Sequence, residues 1–133
     1  MSKPLVYLAC PYSSKAPTKE EQLVEKTTRF ELSNEAASEL MGQGLSVFAP
    51  ISMAHPIAIQ CGLPGDWKFW VKFDTDFISC CSALYVLCID GYKESTGVNA
   101  EIKIAKDFGI PIIYLEYDPN SPVGNRLKEI DRS

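Results

Sequence analysis

The chain has one histidine, no CxxC pair, no GxxxxGK loop and no GxGxxG loop. One histidine without paired cysteines argues against a zinc site. The two missing glycine loops exclude the P-loop and the dinucleotide fingerprint. No apolar stretch approaches the roughly 20 residues that a bilayer-spanning helix needs. The amino terminus, MSKPLVYLAC, lacks the basic segment and long apolar run of a signal peptide. Positive charge is also scarce: the formal net charge is −4. That removes any global electrostatic case for nucleic acid or an anionic membrane surface, so a phosphorylated ligand is expected to be small and held by local contacts. Repeats and low-complexity segments are absent. Five cysteines, with Cys80 and Cys81 adjacent, form an odd set. They read as reduced, mostly buried thiols, and a cytoplasmic protein is expected.

What is present suits one domain, residues 1–133, with a core at 4–116 and a polar tail at 117–133. The length of 133 residues and a hydrophobic share of 46% are enough for one core. Short apolar runs at 5–9, 45–49, 83–89 and 110–116 read as buried strands. Amphipathic runs at 20–41, 66–80 and 98–108 read as helices. On the first, the spacing puts Leu23, Thr27, Phe30, Asn34, Ala37 and Met41 on one face. Residues 50–65, with three prolines and two glycines, read as a long loop, and 123–130 as a short helix in the tail. Apolar strands alternating with helices predict an α/β fold, a flavodoxin/Rossmann-like parallel sheet of four to five strands with helices on both faces. In such a sheet the ligand sits beyond the carboxyl ends of the strands, where strand order reverses. That would join the loop 10–14 to the stretch 90–97.

The stretch Asp90–Glu101, DGYKESTGVNAE, runs from a strand end into a helix start. Ser95, Gly97 and the first helical amides suit an anion; Ser95 is equally an ordinary helix cap. Glu101 is either a solvated carboxylate favoured by the helix dipole or a nucleophile toward an anomeric carbon. Asp74 falls in the middle of the apolar face of Trp67, Trp70, Val71, Phe77 and Ile78, where burying it unpaired is costly. It either reaches a cleft or is paired; Asp76 and Asp90 are the fallbacks. Tyr7 lies in a strand and fits core packing as well as substrate contact. Tyr12 and Ser13 sit in the first loop, and Arg29 on the first helix reaches a phosphate if it faces the cleft. His55 is a lone loop histidine that fits substrate contact better than metal. Trp67, Phe69 and Trp70 read as core or interface rather than as a platform for a base.

Four blocks in order carry a family resemblance. Tyr7 to Ser13 (YLACPYS) resembles the first-strand motif of the nucleoside 2-deoxyribosyltransferase superfamily. Arg29 through Gly44 followed by VFAPI at 47–51, then Asp74 and the apolar run 83–89, resemble its middle. Ser95-x-Gly97-x-x-x-Glu101-Ile102-x-x-Ala105 with Gly109-Ile110-Pro111 resembles its most specific part. The resemblance is nearest to the small nucleoside 5′-monophosphate hydrolases of that superfamily. It implies Glu101 as nucleophile and Asp74 acting on the base. Ser95, where the transferases commonly have an aspartate, implies a substrate phosphate. Cys10 replaces the usual glycine of the first loop, and Ser82 an acidic residue before the third strand. The resemblance further implies a homodimer or higher oligomer in which a neighbour's carboxyl-terminal segment closes the site, with Asn125 as its candidate contact.

The expected function is hydrolysis of the N-glycosidic bond of a pyrimidine (deoxy)nucleoside 5′-monophosphate, with no metal and no organic cofactor. The expected site comprises Glu101 and Asp74 for catalysis, and Tyr7, Tyr12, Ser13, Arg29, His55, Ser95, Gly97 and Asn125 for the substrate. The expected partner is a small nucleotide, with neither nucleic acid nor membrane. Two other classes remain open: a base-exchanging deoxyribosyltransferase, and a non-catalytic nucleotide sensor. A phosphoacceptor domain fits poorly, because Cys10-Pro11 stands where its acidic pair would be.

Overall fold

The computed structural model describes residues 4–64 and 67–131, without the side chain of Trp67. It contains strands β1 (Leu5–Ala9), β2 (Ser46–Phe48), β3 (Ala83–Leu87), β4 (Ile112–Tyr117) and β5 (Leu127–Ile130). The helices are α1 (Lys19–Gly42), α2 (Pro50–Cys61), α3 (Trp67–Ser79) and α4 (Thr96–Asp107). The expected start of the third helix, at Asp66, lies outside the described residues.

The strands form one sheet in the order β2-β1-β3-β4-β5. The first four are parallel, and β5 returns antiparallel to β4. The α/β architecture is thus the expected one, closed at one edge by an antiparallel strand. Residues of β1 and the adjoining Cys10 alternate between two cores. Val6, Leu8 and Cys10 pack with Ala36, Ala37 and Leu40 of α1. Tyr7 and Ala9 pack with Ile78 of α3 and with Val98 and Ala105 of α4. Helices on both faces explain why the central strands are apolar at every position. Chain connections diverge between β1 and β3, so a crevice opens at their carboxyl ends.

Three expectations change. Residues 50–61 are helical rather than a loop. Pro50 occupies the first turn, where its missing N–H costs nothing, and Gly62 ends the helix at φ 69°. Pro56 lies inside the helix and removes one internal bond. The expected apolar face of α1 is also displaced. Ser33, Ala36, Ala37 and Leu40 are buried, whereas Leu23 and Met41 are about half exposed. Twenty-four residues of helix span about 36 Å, well beyond strands of five residues, so the first turns of α1 outrun the sheet.

The third change is in the tail, where residues 127–130 form β5 rather than a helix. The cause is tertiary. The buried Glu39 carboxylate accepts from the backbone N–H groups of Arg126 (2.8 Å) and Leu127 (3.0 Å). Arg126 also pairs with Glu35 at 2.5 Å, and the Tyr117 hydroxyl donates to Glu35 at 2.9 Å. Local propensity yields to this anchor. Glu39→Ala would strand two backbone donors and is expected to destabilise the protein by about 1–3 kcal/mol. Hydrogen exchange at 127–130 is expected to accelerate first. Unchanged protection there would show that β4 alone holds the strand.

Candidate active site

The crevice holds a cleft of about 310 Å³. Its floor is acidic. Glu101, in the second turn of α4, is 5% exposed, and Asp74, in the middle of α3, is 8% exposed. They meet at Tyr7, whose hydroxyl donates to Glu101 Oε2 and also hydrogen-bonds Asp74. Tyr7 is fully buried, its ring 5.6 Å from that of Phe48. Its place in a strand therefore serves both core packing and the site. The position of Asp74 on an apolar stripe is explained: it faces the cleft, while Asp76 and Asp90 are exposed.

Burial sets the electrostatics. Enclosure raises the Glu101 carboxyl well above its ordinary value; the nearby Asp74 adds to this and the Tyr7 hydrogen bond opposes it. Desolvation raises Asp74 to about 6, again against the Tyr7 bond. Two carboxyls on one hydroxyl titrate as a unit and retain a proton into a range where an isolated carboxyl has lost it. Burial lifts the Cys10 thiol to about 12, with Glu101 adding and Arg29 opposing. It is an inert wall residue, not a nucleophile.

The walls come from four segments. From the first loop come Cys10, Tyr12 and Ser13; from α4 and its cap come Ser95, Thr96 and Gly97. Ser95 caps α4: its Oγ accepts from Val98 N–H at 3.2 Å, which leaves the hydroxyl hydrogen free to donate. The amides of Thr96 and Gly97 are ones the helix itself leaves unsatisfied. The remaining walls are α2 and α3, with Phe48 at the end of β2. They present Ile51, Met53, Ala54, Ile57 and Ala58 opposite Phe69, Trp70, Phe73 and Phe77. Phe48 stacks on Phe77 at 3.9 Å. Phe69 and Trp70, expected in core or interface, thus line the cleft. Phe73 was missed, and of the α2 wall only His55 was named, the stretch 50–65 being expected as a loop. The recurrence of aromatics at 69, 73 and 77 beside Asp74 was the available signal; α2 was hidden by its prolines.

Of the substrate residues expected from sequence, Tyr7 joins the floor, and Tyr12, Ser13, His55, Ser95 and Gly97 line the cleft. Arg29 and Asn125 are not among the lining residues. Arg29 Nη1 instead donates to the carbonyls of Tyr12 (3.3 Å) and Ser13 (2.5 Å). Its Nη2 lies 2.8 Å from where a Cβ on Gly91 would be. Arg29 therefore fastens the first loop from behind, and Gly91, at φ 88°, leaves it room. Asn125 is exposed in the turn before β5. Lysine and arginine are absent from the described residues that line the cleft. Among the described residues no group of three or more His, Cys, Asp or Glu is placed to hold a metal, and no helix is long and apolar enough to cross a membrane.

Residues 4–117 match the family described as "Domain of unknown function (DUF1937)". No curated protein matches the chain. Solved structures do, among them a 2-deoxyribosyltransferase from the psychrotolerant bacterium Bacillus psychrosaccharolyticus. It is 21% identical with a TM-score of 0.55, and the match covers 89% of this chain and 76% of that one. At that identity the likeness is one of fold.

The buried floor has a thermodynamic signature. Asp74 has an ordinary value of 3.8 and a folded value of about 6. The folded carboxyl therefore holds a proton that the unfolded chain has released. Its contribution to stability is complete below pH 4 and is lost as pH rises through 6, the loss at neutrality being about 2–3 kcal/mol. Asp74→Asn is expected to be more stable than the wild type at pH 7.5 and to lose that advantage near pH 4. Denaturant unfolding at the two pH values checks this, and a variant no more stable at pH 7.5 would refute the shift.

Proposed function

We propose a function from one premise: the chain belongs to the DUF1937 family of domains of unknown function. The reading is cleavage of the N-glycosidic bond of a (deoxy)nucleoside 5′-monophosphate, with a pyrimidine as the leaving base and (deoxy)ribose 5-phosphate as the other product. One observation carries it. Two buried carboxyls share a tyrosine hydroxyl at the floor of an apolar cleft, beside the free amides of a helix start.

In this reading the chain acts as one catalytic domain. Glu101 attacks C1′ as the C1′–N bond breaks, and the bond's electron pair leaves with the base. Asp74, protonated in a site that retains a proton, gives it to the departing base. Positive charge developing at C1′ favours the ionised form of Glu101, whereas the Tyr7 hydrogen bond opposes protonation of both carboxyls alike. The proton of the pair therefore goes to Asp74. Water then attacks C1′ of the glycosyl-enzyme, passes a proton to the Asp74 carboxylate, and releases sugar phosphate and Glu101. The Ser95 hydroxyl, the amides of Thr96 and Gly97, and Ser13 would hold the phosphate. Arg29 would act by positioning the Tyr12–Ser13 carbonyls rather than by touching the phosphate. A second copy of the chain, with Asn125 at the contact, would close the open side.

A second reading is base exchange, in which an acceptor base rather than water resolves the intermediate. It is favoured by the name of the structural neighbour, a 2-deoxyribosyltransferase. The lack of a cation among the described lining residues also suits an unphosphorylated nucleoside.

Nucleotides and nucleosides are incubated with the protein and free base is measured. Nucleotide is expected to be preferred in kcat/KM by about 10-fold or more, the worth of one or two phosphate hydrogen bonds. Ser95→Asp is expected to reverse that preference by repulsion. Glu101→Ala is expected to lower kcat by roughly a thousandfold or more while keeping the fold. A wild-type preference for nucleosides, with transfer to an added base, would select the second reading. Undiminished turnover in Glu101→Ala would remove the nucleophile.

A further inference from the structure

On the facing walls formed by α2 and α3, two side chains face the cleft with hydrogen-bonding capacity to spare. One is Asp74, already placed at the scissile bond. The other is His55. Trp70 lines the same walls, but its Nε1 donates to the Pro64 carbonyl at 2.7 Å. His55 is 7% exposed. One ring face stacks on Phe30 at 4.6 Å, and Nδ1 hydrogen-bonds the Tyr12 hydroxyl. Nε2 has no protein partner among the described residues. Nor is it sealed away, because fully buried side-chain nitrogens and oxygens among those residues are all paired. A buried histidine that lines the cleft and retains one reachable, unpartnered nitrogen presents that nitrogen to whatever fills the cleft.

Its proton follows from the neighbours. Lys26 Nζ lies over the Tyr12 ring, 5.4 Å from the centroid. A cation against that ring makes the phenol a better donor and the hydroxyl oxygen a poorer acceptor. Tyr12 therefore donates to Nδ1, and the imidazole hydrogen sits on Nε2. Burial and the Lys26 charge lower the imidazole's basicity, which keeps it neutral.

We infer that His55 is a specificity-determining residue: its Nε2–H, set by Tyr12, selects a leaving base with an oxo oxygen at the edge facing α2 over one with an amino group there. This rests on the reading of the cleft as a nucleotide site. A uracil-type edge receives a hydrogen bond on a wall that offers no other. A cytosine-type edge sets donor against donor and leaves the Nε2–H without an acceptor.

Equilibrium binding of dUMP and dCMP to the wild-type protein tests this without requiring turnover. dUMP is expected to bind about tenfold tighter or more, roughly one hydrogen bond's worth. His55→Phe, which keeps the stack on Phe30, is expected to bring the ratio near one. His55→Gln, which retains an amide N–H, is expected to restore part of it. Tyr12→Phe, which frees the tautomer, is expected to narrow it. Equal binding by the wild type, no binding of either nucleotide, or a ratio unchanged in His55→Phe would each overturn the inference. Failure of the hydrolase reading looks different: the dUMP preference persists, and neither nucleotide yields free base.

Discussion

The hydroxyl of Tyr7 joins two nearly enclosed carboxyls at the floor of the cleft, and much of the architecture follows from keeping it there. Tyr7 comes from β1, which lies between β2 and β3 in the sheet. Glu101 comes from α4 and Asp74 from α3, the two helices on the same face of the sheet as Tyr7. None of the three is near another in sequence. Their meeting requires the β1–β3 pairing, the packing of α3 beside α4, and a strand register that turns Tyr7 rather than Leu8 toward those helices. A slip of one residue in β1 would place an aliphatic side chain under Glu101 and leave its carboxyl buried without a donor. Packing and chemistry are thus the same constraint at this position. The cost is carried by the acids, both held above their ordinary values by desolvation.

Around that floor the site is assembled from backbone as much as from side chains. Arg29, on α1, fastens the first loop through two carbonyls and leaves the cleft to Tyr12 and Ser13. The same guanidinium sits against Gly91, so the elaborated turn after β3 is shaped by what it must not carry, a Cβ. At the far edge the buried Glu39 holds β5 through main-chain donors. In each case a charged side chain fixes a segment whose own sequence has weak preferences.

The central parallel sheet, and the need of Asp74 for a cleft or a partner, were legible in the sequence for physical reasons; its company with Glu101 was implied only by the family resemblance. Strands covered on both faces must be apolar throughout, and a lone Asp on an apolar stripe is too costly to be accidental. The failures share the opposite cause. Residues 50–61 hide a helix because proline at a first turn reads like proline in a loop. Residues 127–130 form a strand because of Glu39, 88 residues away from Leu127, which no local pattern reports. Arg29 was expected at a phosphate because its charge suits one; its partners are carbonyls, and only the course of the loop shows that. Phe69 and Trp70 were read as core or interface, because an apolar face looks the same whether a sheet or a ligand covers it.

The central claim is that Glu101 becomes covalently bonded to the sugar. A 2-fluoro-substituted deoxynucleoside 5′-monophosphate, whose fluorine slows breakdown of a glycosyl-enzyme, tests this by intact-protein mass spectrometry followed by peptide mapping. The account predicts one added fluorosugar phosphate, mapped to Glu101 and absent from Glu101→Gln. Release of base with no adduct, or an adduct on any other residue, would contradict it.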